Sequence, residues 1–130
     1  MATIIKEFSL RAGADQVWDA LRDFGALHTR LVPGFVTDTK LDGDVRTVTF
    51  ANGSVAKEYL VSTDDVAHRL VYGIAPSDRI LHYSAAAQVF ADGTRSRFVW
   101  TVDVLPHEFA PYISAQMDLG VAAMQRAFGG

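Results

Sequence analysis

The sequence predicts an α+β fold in which a long C-terminal helix packs against a curved antiparallel sheet. Three observations carry this prediction. Six β-type segments follow one another between residues 35 and 105, a helical repeat occupies residues 107–128, and turn-forming residues separate the β-type segments. The 130 residues fit one domain, 1–130, with a core large enough to be stable without disulfides or a metal.

The N-terminal part predicts one strand and two short helices. Thr3–Leu10 is rich in β-formers, and its apolar face is interrupted by Lys6. Residues 15–24 carry apolar side chains at helical spacing and break at Gly25. A second helical turn is expected over 26–30, before the Pro33-Gly34 turn.

The central part predicts an antiparallel meander. Asn52-Gly53 and Asp92-Gly93 are strong signals for two-residue hairpin turns, because both residues tolerate positive φ. The expected strands are Phe35–Leu41, Val45–Phe50, Ser54–Thr63, Arg69–Ile74, Ile80–Phe90 and Arg95–Leu105.

The last segment, His107–Phe128, predicts the long helix. Pro111 is tolerated only in a first turn, which places the helix start near Glu108. The apolar face at helical spacing consists of Phe109, Ile113, Met117 (or Gln116), Gly120, Met124 and Ala127.

Alternation along the strands assigns most inward faces. The inward set is Val48, Phe50, Leu70, Tyr72, Ile74, Leu81, Tyr83, Ala85, Ala87, Val89, Phe98, Trp100, Val102 and Val104, with Arg46 in the same parity. In Ser54–Thr63, apolar content favours Val55, Tyr59 and Val61 inward, against Glu58. Ala85, Ala87 and Gly120 are small residues on facing elements. They are consistent with either close helix–sheet packing or a cavity.

Composition and motifs exclude several classes of function. The net charge is −3 without a basic run, so nucleic acid is not an expected partner. Cysteine is absent, and the histidines lack metal-ligand spacing, so neither a metal nor a cofactor is predicted. Only His28 could reach a pocket mouth. The chain shows no signal-peptide core and no transmembrane stretch, so we expect a cytoplasmic protein without stable membrane insertion.

Five segments carry a resemblance to a known family. In chain order they are ADQVWDALRDFG at 14–25, VRTV at 45–48, KEYL at 57–60, RLVY at 69–72 and FVW at 98–100. Their order and spacing are similar to those of the START/Bet v 1-like superfamily (SRPBCC). The closest resemblance is to its bacterial polyketide cyclase/dehydrase and lipid-transport branch. This implies the helix-grip fold, in which a seven-stranded sheet wraps around the long helix, with two short helices between strands 1 and 2.

The resemblance also implies a cavity and turns Glu58 inward, against the alternation argument. The expected function is binding of a lipid-, polyketide- or hormone-like small molecule by a monomer or homodimer. The alternative is a polyketide cyclase or dehydratase that uses Tyr83 and Glu58 as acid and base, with Arg46 polarising a carbonyl from the rim. The expected ligand-binding residues are Thr37, Val48, Phe50, Glu58, Tyr72, Tyr83, Ala85, Phe98, Trp100, Phe109, Ile113, Gln116, Met117 and Gly120.

Overall fold

Seven antiparallel strands form one sheet in the computed structural model, which describes residues 1–130. The strands are β1 (Ala2–Leu10), β2 (Val36–Asp42), β3 (Val45–Phe50), β4 (Val55–Asp64), β5 (Arg69–Ile74), β6 (His82–Asp92) and β7 (Arg95–Leu105). Their spatial order is β1-β7-β6-β5-β4-β3-β2, so the first and second strands occupy opposite edges. The predicted meander is confirmed, and β1 joins it by pairing with β7.

The two predicted hairpins are present, but their turn residues differ from the prediction. Phe50 bonds to Ser54, so the β3–β4 loop has three residues, 51–53, and Asp92 pairs with Arg95, so the β6–β7 turn consists of Gly93 and Thr94. Gly53 has φ 88° and Gly93 has φ 61°, in the left-handed region that a side chain rarely adopts. The strands on either side of each glycine pair in antiparallel register. These turns fix which residues of β3, β4, β6 and β7 share a face.

Four short helical segments and one long helix complete the fold. Helix α1 spans Ala14–Arg22 and is followed by a 3-10 turn, Phe24–Ala26, and a π-helical turn, Leu27–Leu31. The long helix α2 spans Ala110–Phe128 after a 3-10 turn at His107–Phe109, and Pro111 lies in its first turn as predicted. The expected helix-grip arrangement is therefore present. None of the helices combines the length and the apolarity needed to cross a bilayer.

Polar contacts hold the helical segments in place. Lys6, which interrupts the inward face of β1, bonds to Ser114 Oγ at 2.8 Å and to Asp118 at 2.9 Å, and so joins the edge strand to α2. Asp19 of α1 and Asp23, the residue directly after α1, both pair with Arg30 of the π-helical turn. These two carboxylates thereby position the turn that carries Leu27 and Leu31.

The face assignments are correct for most strands and wrong for two segments. The inward residues of β7 are all buried, as predicted. In β4, Glu58 is buried whereas Val55 and Val61 are 61% and 57% exposed, so the alternation argument from apolar content is wrong there. Leu81 is also exposed, because β6 begins at His82, two residues after the predicted start at Ile80, and Leu81 lies outside the strand.

The orientation of β4 has a physical reason on the outer face of the sheet. Tyr59 pairs with Gly73 of β5, and its hydroxyl lies only 2.6 Å from where a Gly73 Cβ would be. The phenol ring therefore packs onto the space that the glycine leaves open. The aromatic side chain is accommodated outside, and Glu58 points inward.

Candidate functional site

A cavity of about 580 Å³ lies between the sheet and α2. Of its 28 lining residues, 21 are hydrophobic, so most of its wall offers only apolar contact. Enclosed, mostly apolar spaces of this size are typical of small-molecule sites. The cavity can therefore hold an organic molecule whose surface is largely apolar.

Most of the residues predicted to bind a ligand line this cavity. Those that do are Phe50, Glu58, Tyr72, Tyr83, Phe98, Trp100, Phe109, Ile113, Gln116 and Met117, together with Arg46. They come from β3, β4, β5, β6, β7, α2 and the 3-10 turn that precedes it. The sheet and the long helix thus both contribute to the wall, as the helix-grip arrangement requires.

Four predicted site residues lie outside the cavity wall. Thr37 is the extra residue of a β-bulge between Val36 and Asp38, so its side chain turns outward and bonds to the Thr49 carbonyl. Val48 and Ala85 are buried in the core without lining the cavity. Gly120 packs directly against another side chain, Trp100, and leaves no open space there.

Strand alternation and helix periodicity did not find several residues that do line the cavity. Leu27, Leu31 and Val32 form part of the wall from the π-helical turn and the residue that follows it. The sequence predicts this segment only as a short helical turn before Pro33-Gly34. Its apolar pair at spacing four, Leu27 and Leu31, is the one signal that could have found it.

Exposed lining residues mark the mouth of the cavity. They are Ser54 and Val55 at the β3–β4 turn, Ser77 and Arg79 in the β5–β6 loop, and Glu108 and Tyr112 at the start of the helical region. Three separate chain segments therefore surround the opening, two of them loops. One basic and one acidic side chain leave the mouth without a strong charge of either sign.

A buried polar cluster interrupts the apolar wall below the mouth. It consists of Arg46, Glu58, Tyr72 and Tyr83. Nε and Nη2 of Arg46 each lie 2.8 Å from Oε1 of Glu58, and the two side chains are only 5% and 6% exposed. Arg46 is therefore buried and paired, and the prediction that it acts from the rim is wrong.

The remaining contacts of Arg46 fix its position. Nη1 donates to the carbonyl of Phe24 at 3.3 Å, and the Phe24 ring lies 3.9 Å from the guanidinium carbon. The ring of Tyr72 lies 5.1 Å from the same carbon. Stacking of this kind suits the planar guanidinium, which is weakly hydrated and tolerates burial between aromatic rings.

The two tyrosines of the cluster are held in their neutral form. Burial raises the pKa of Tyr72, and the nearby Glu58 carboxylate raises it further. Burial also raises the pKa of Tyr83, with further increases from Tyr72 and Glu58. Both phenols therefore remain protonated at neutral pH and can act as hydrogen-bond donors as well as acceptors.

Two buried polar atoms elsewhere have no hydrogen-bond partner. They are Nδ1 of His28 and Oγ1 of Thr39. His28 lies in the π-helical turn but does not line the cavity, so the prediction that it reaches the mouth is wrong. Neither residue contributes to the site described above.

Comparisons with solved structures support the fold. A protein from Bacillus cereus, XoxI, is 22% identical with a TM-score of 0.87, over 98% of this chain and 96% of that one. A START superfamily protein from Mycobacterium smegmatis is 12% identical with a TM-score of 0.74, over 98% and 94% of the two chains. The di-domain ARO/CYC protein BexL, from the BE-7585A biosynthetic pathway, is 10% identical with a TM-score of 0.82, over 98% of this chain and 46% of that one.

At these identities the likeness concerns the fold alone. A comparison with curated protein sequences finds no match. A family profile described as "Polyketide cyclase / dehydrase and lipid transport" matches residues 1–129. Because that match covers almost the entire chain, the protein belongs to the polyketide cyclase/dehydrase and lipid-transport family.

Proposed function

We propose that this protein binds a hydrophobic small molecule in the cavity between the sheet and α2. The observation that carries the proposal is the cavity itself, about 580 Å³ with 21 hydrophobic residues among the 28 that line it. Transfer of an apolar ligand from water to such a wall is favourable in proportion to the apolar area buried. The family description, which includes lipid transport, is consistent with this role.

The distribution of polar groups also supports binding of an organic ligand. Charged and hydroxyl groups are confined to the buried cluster and the mouth, whereas the wall between them is apolar. A few polar groups within an apolar wall orient a ligand without raising the cost of removing it from water. The exposed residues at the mouth provide a route for entry.

Neighbouring alanines of β6 offer a matched test. Ala87 lines the cavity, whereas Ala86 lies on the opposite face of the strand and does not. Ala87→Leu places three additional carbon atoms in the cavity, and Ala86→Leu adds the same atoms outside it. The assay is titration with N-phenyl-1-naphthylamine, an apolar dye whose fluorescence rises on leaving water.

The wild-type protein is expected to bind the dye, and Ala87→Leu to weaken binding about tenfold or abolish it. Ala86→Leu is expected to leave the dissociation constant within about twofold of wild type. Circular dichroism confirms that both variants are folded. A wild-type protein that does not bind the dye, or two variants that bind it equally, would contradict the proposal.

A second candidate function is cyclisation or dehydration of a polyketide-like substrate. Glu58 and Tyr83 line the same cavity, and the family description includes polyketide cyclase and dehydrase activity. Two features favour binding over this alternative. The Glu58 carboxylate is already paired with Arg46, and burial raises the pKa of Tyr83, which makes its phenol a weaker acid.

Mass spectrometry separates the two candidates. A linear poly-β-ketone thioester is incubated with the wild-type protein, and its mass is followed for loss of water. The catalytic candidate predicts water loss that Glu58→Gln or Tyr83→Phe reduces about a hundredfold or more, the usual contribution of one general acid or base. Water loss that both variants retain at wild-type rate would refute these catalytic assignments.

A further inference from the structure

We infer that the cavity selects ligands bearing a neutral hydrogen-bond donor, such as the hydroxyl of an alcohol or phenol, and positions that donor at Oε2 of Glu58. This inference rests on the proposed binding function and names the chemical class of the ligand. It follows from the way Arg46 and Glu58 divide their hydrogen bonds.

Each nitrogen of Arg46 already has a protein partner. Nε and Nη2 both contact Oε1 of Glu58, and Nη1 bonds to the carbonyl of Phe24. A carboxylate is recognised best by two parallel N–H groups of one guanidinium. Glu58 already occupies the pair formed by Nε and Nη2, Nη1 is held by Phe24, and the Phe24 ring covers the guanidinium face at 3.9 Å. One N–H each remains on Nη1 and Nη2, but the positive charge of Arg46 is already balanced by Glu58.

Glu58, in contrast, retains one free oxygen. All contacts from Arg46 go to Oε1, and no protein group bonds to Oε2. Oε2 is nevertheless not among the fully buried atoms that lack a partner, and Glu58 lines the cavity. The free oxygen therefore faces the space that a ligand would occupy, and a carboxylate oxygen can only accept a hydrogen bond.

Charge determines which donor fits. The Arg46–Glu58 pair is neutral overall, and no other charged residue belongs to the buried polar cluster. A ligand carboxylate at this position would lie beside the Glu58 carboxylate, and a ligand ammonium would be removed from water beside Arg46. The first arrangement places like charges together, and the second removes a charge from water next to an ion pair whose net charge is zero, whereas a hydroxyl has neither cost.

The tyrosines complete the recognition of a hydroxyl. Tyr72 and Tyr83 lie in the same wall, with ring centroids 6.4 Å apart. A hydroxyl that donates to Oε2 of Glu58 still carries lone pairs, and a neutral phenol can donate to them. An ether of the same shape could accept from a tyrosine but would leave Oε2 without a donor.

Isothermal titration calorimetry at pH 7 with three naphthalenes tests the inference. The ligands are 2-naphthol, 2-methoxynaphthalene and 2-naphthoate. A cavity that recognises only apolar surface would prefer the more hydrophobic methyl ether. We expect instead that 2-naphthol binds about tenfold or more tightly than the ether, the usual value of a hydrogen bond to a charged group, and that 2-naphthoate binds most weakly.

The outcomes distinguish this inference from the proposed function. Equal or tighter binding of the ether, or tight binding of 2-naphthoate, would overturn the inference while leaving the binding function intact. Failure of all three compounds to bind would overturn both. The wild-type comparison is decisive alone, so the inference does not depend on a variant that folds.

Two glutamate variants extend the test. Glu58→Gln frees the Arg46 guanidinium, so we expect 2-naphthoate to bind more tightly than to wild type and the preference for 2-naphthol over the ether to shrink. Glu7→Gln, on the exposed face of β1, should leave all three affinities within about twofold. Selectivity in Glu58→Gln that matches wild type would refute the role of Glu58.

Discussion

The indole ring of Trp100 lies directly against Gly120 of α2, where an added Cβ would come within 2.9 Å of Cζ3. The helix therefore approaches β7 so closely at this point that only glycine fits. Residues on both sides of this contact line the cavity, with Ile113 and Met117 before Gly120 and Met124 after it. Trp100 lines it as well, so one side chain both seals the helix–sheet contact and forms part of the cavity wall.

Gly120→Ala should destabilise the protein although alanine is the better helix former. The clash with the rigid indole outweighs the gain in helix propensity, with an expected net loss of roughly 1–2 kcal/mol in the free energy of unfolding. Urea denaturation measures it. In a Trp100→Phe background the smaller ring should reduce the loss, and an undiminished loss there would contradict the proposed contact.

Removing one partner of the Arg46–Glu58 pair should destabilise the fold strongly. Arg46→Met leaves the Glu58 carboxylate buried without its counter-ion, at an expected cost of about 3–5 kcal/mol. The double variant Arg46→Met/Glu58→Leu removes both charges and should recover much of that loss. Chemical denaturation of the three proteins tests this, and a double variant as unstable as the single one would refute it.

Stability should decline at high pH partly through Tyr72 and Tyr83. Their pKa values are raised in the folded protein above the ordinary value of 10.0, so above pH 10 the unfolded chain releases protons that the folded chain retains. The contribution of the two tyrosines to the free energy of unfolding is fully present below pH 10. It is lost as the pH rises, at up to about 1.4 kcal/mol per pH unit for each tyrosine.

The check is urea denaturation at pH 9 and pH 11. Tyr72→Phe removes one of the two raised groups, so its free energy of unfolding should fall less between these pH values than that of the wild type. An equal fall in both proteins would show that Tyr72 does not retain its proton in the folded state.

Arg30 should control the local opening of the π-helical turn more than global stability. It joins Asp19 of α1 and Asp23, the residue directly after α1, to the turn that carries Leu27 and Leu31, and all three side chains are solvent-exposed. Arg30→Ala should speed amide hydrogen exchange in residues 27–31 while leaving exchange in β7 unchanged. Unaltered exchange in the turn would show that these ion pairs do not position it.

The sheet and the long helix could be predicted because periodicity and turn chemistry agree along the chain. The hairpin glycines, the alternation in β7 and the position of Pro111 each correspond to the structure. The five similar segments added the helix-grip arrangement. The fold could therefore be predicted from local sequence patterns together with the resemblance to the family.

The site was harder to predict from the sequence, because several of its residues depart from regular strand alternation and helix periodicity. Thr37 was expected among the ligand-binding residues, but it is the extra residue of a β-bulge and its side chain is exposed. Apolar content placed Val55 and Val61 inside, yet Tyr59 packs on Gly73 and the strand presents Glu58 to the interior. The sequence did not decide whether the small inward residues indicate close packing or a cavity. In the structure Gly120 allows close packing against Trp100, whereas Ala87 lines the cavity.

Intermolecular nuclear Overhauser effects between N-phenyl-1-naphthylamine and protein methyl groups test the central claim most directly. Binding in the cavity predicts contacts from the dye to the methyls of Ala87, Ile113 and Met117, which line it. It predicts none to Ile5 or Val61, which are exposed and do not line it. Contacts confined to the exposed methyls, with none to the three inner ones, would contradict the account.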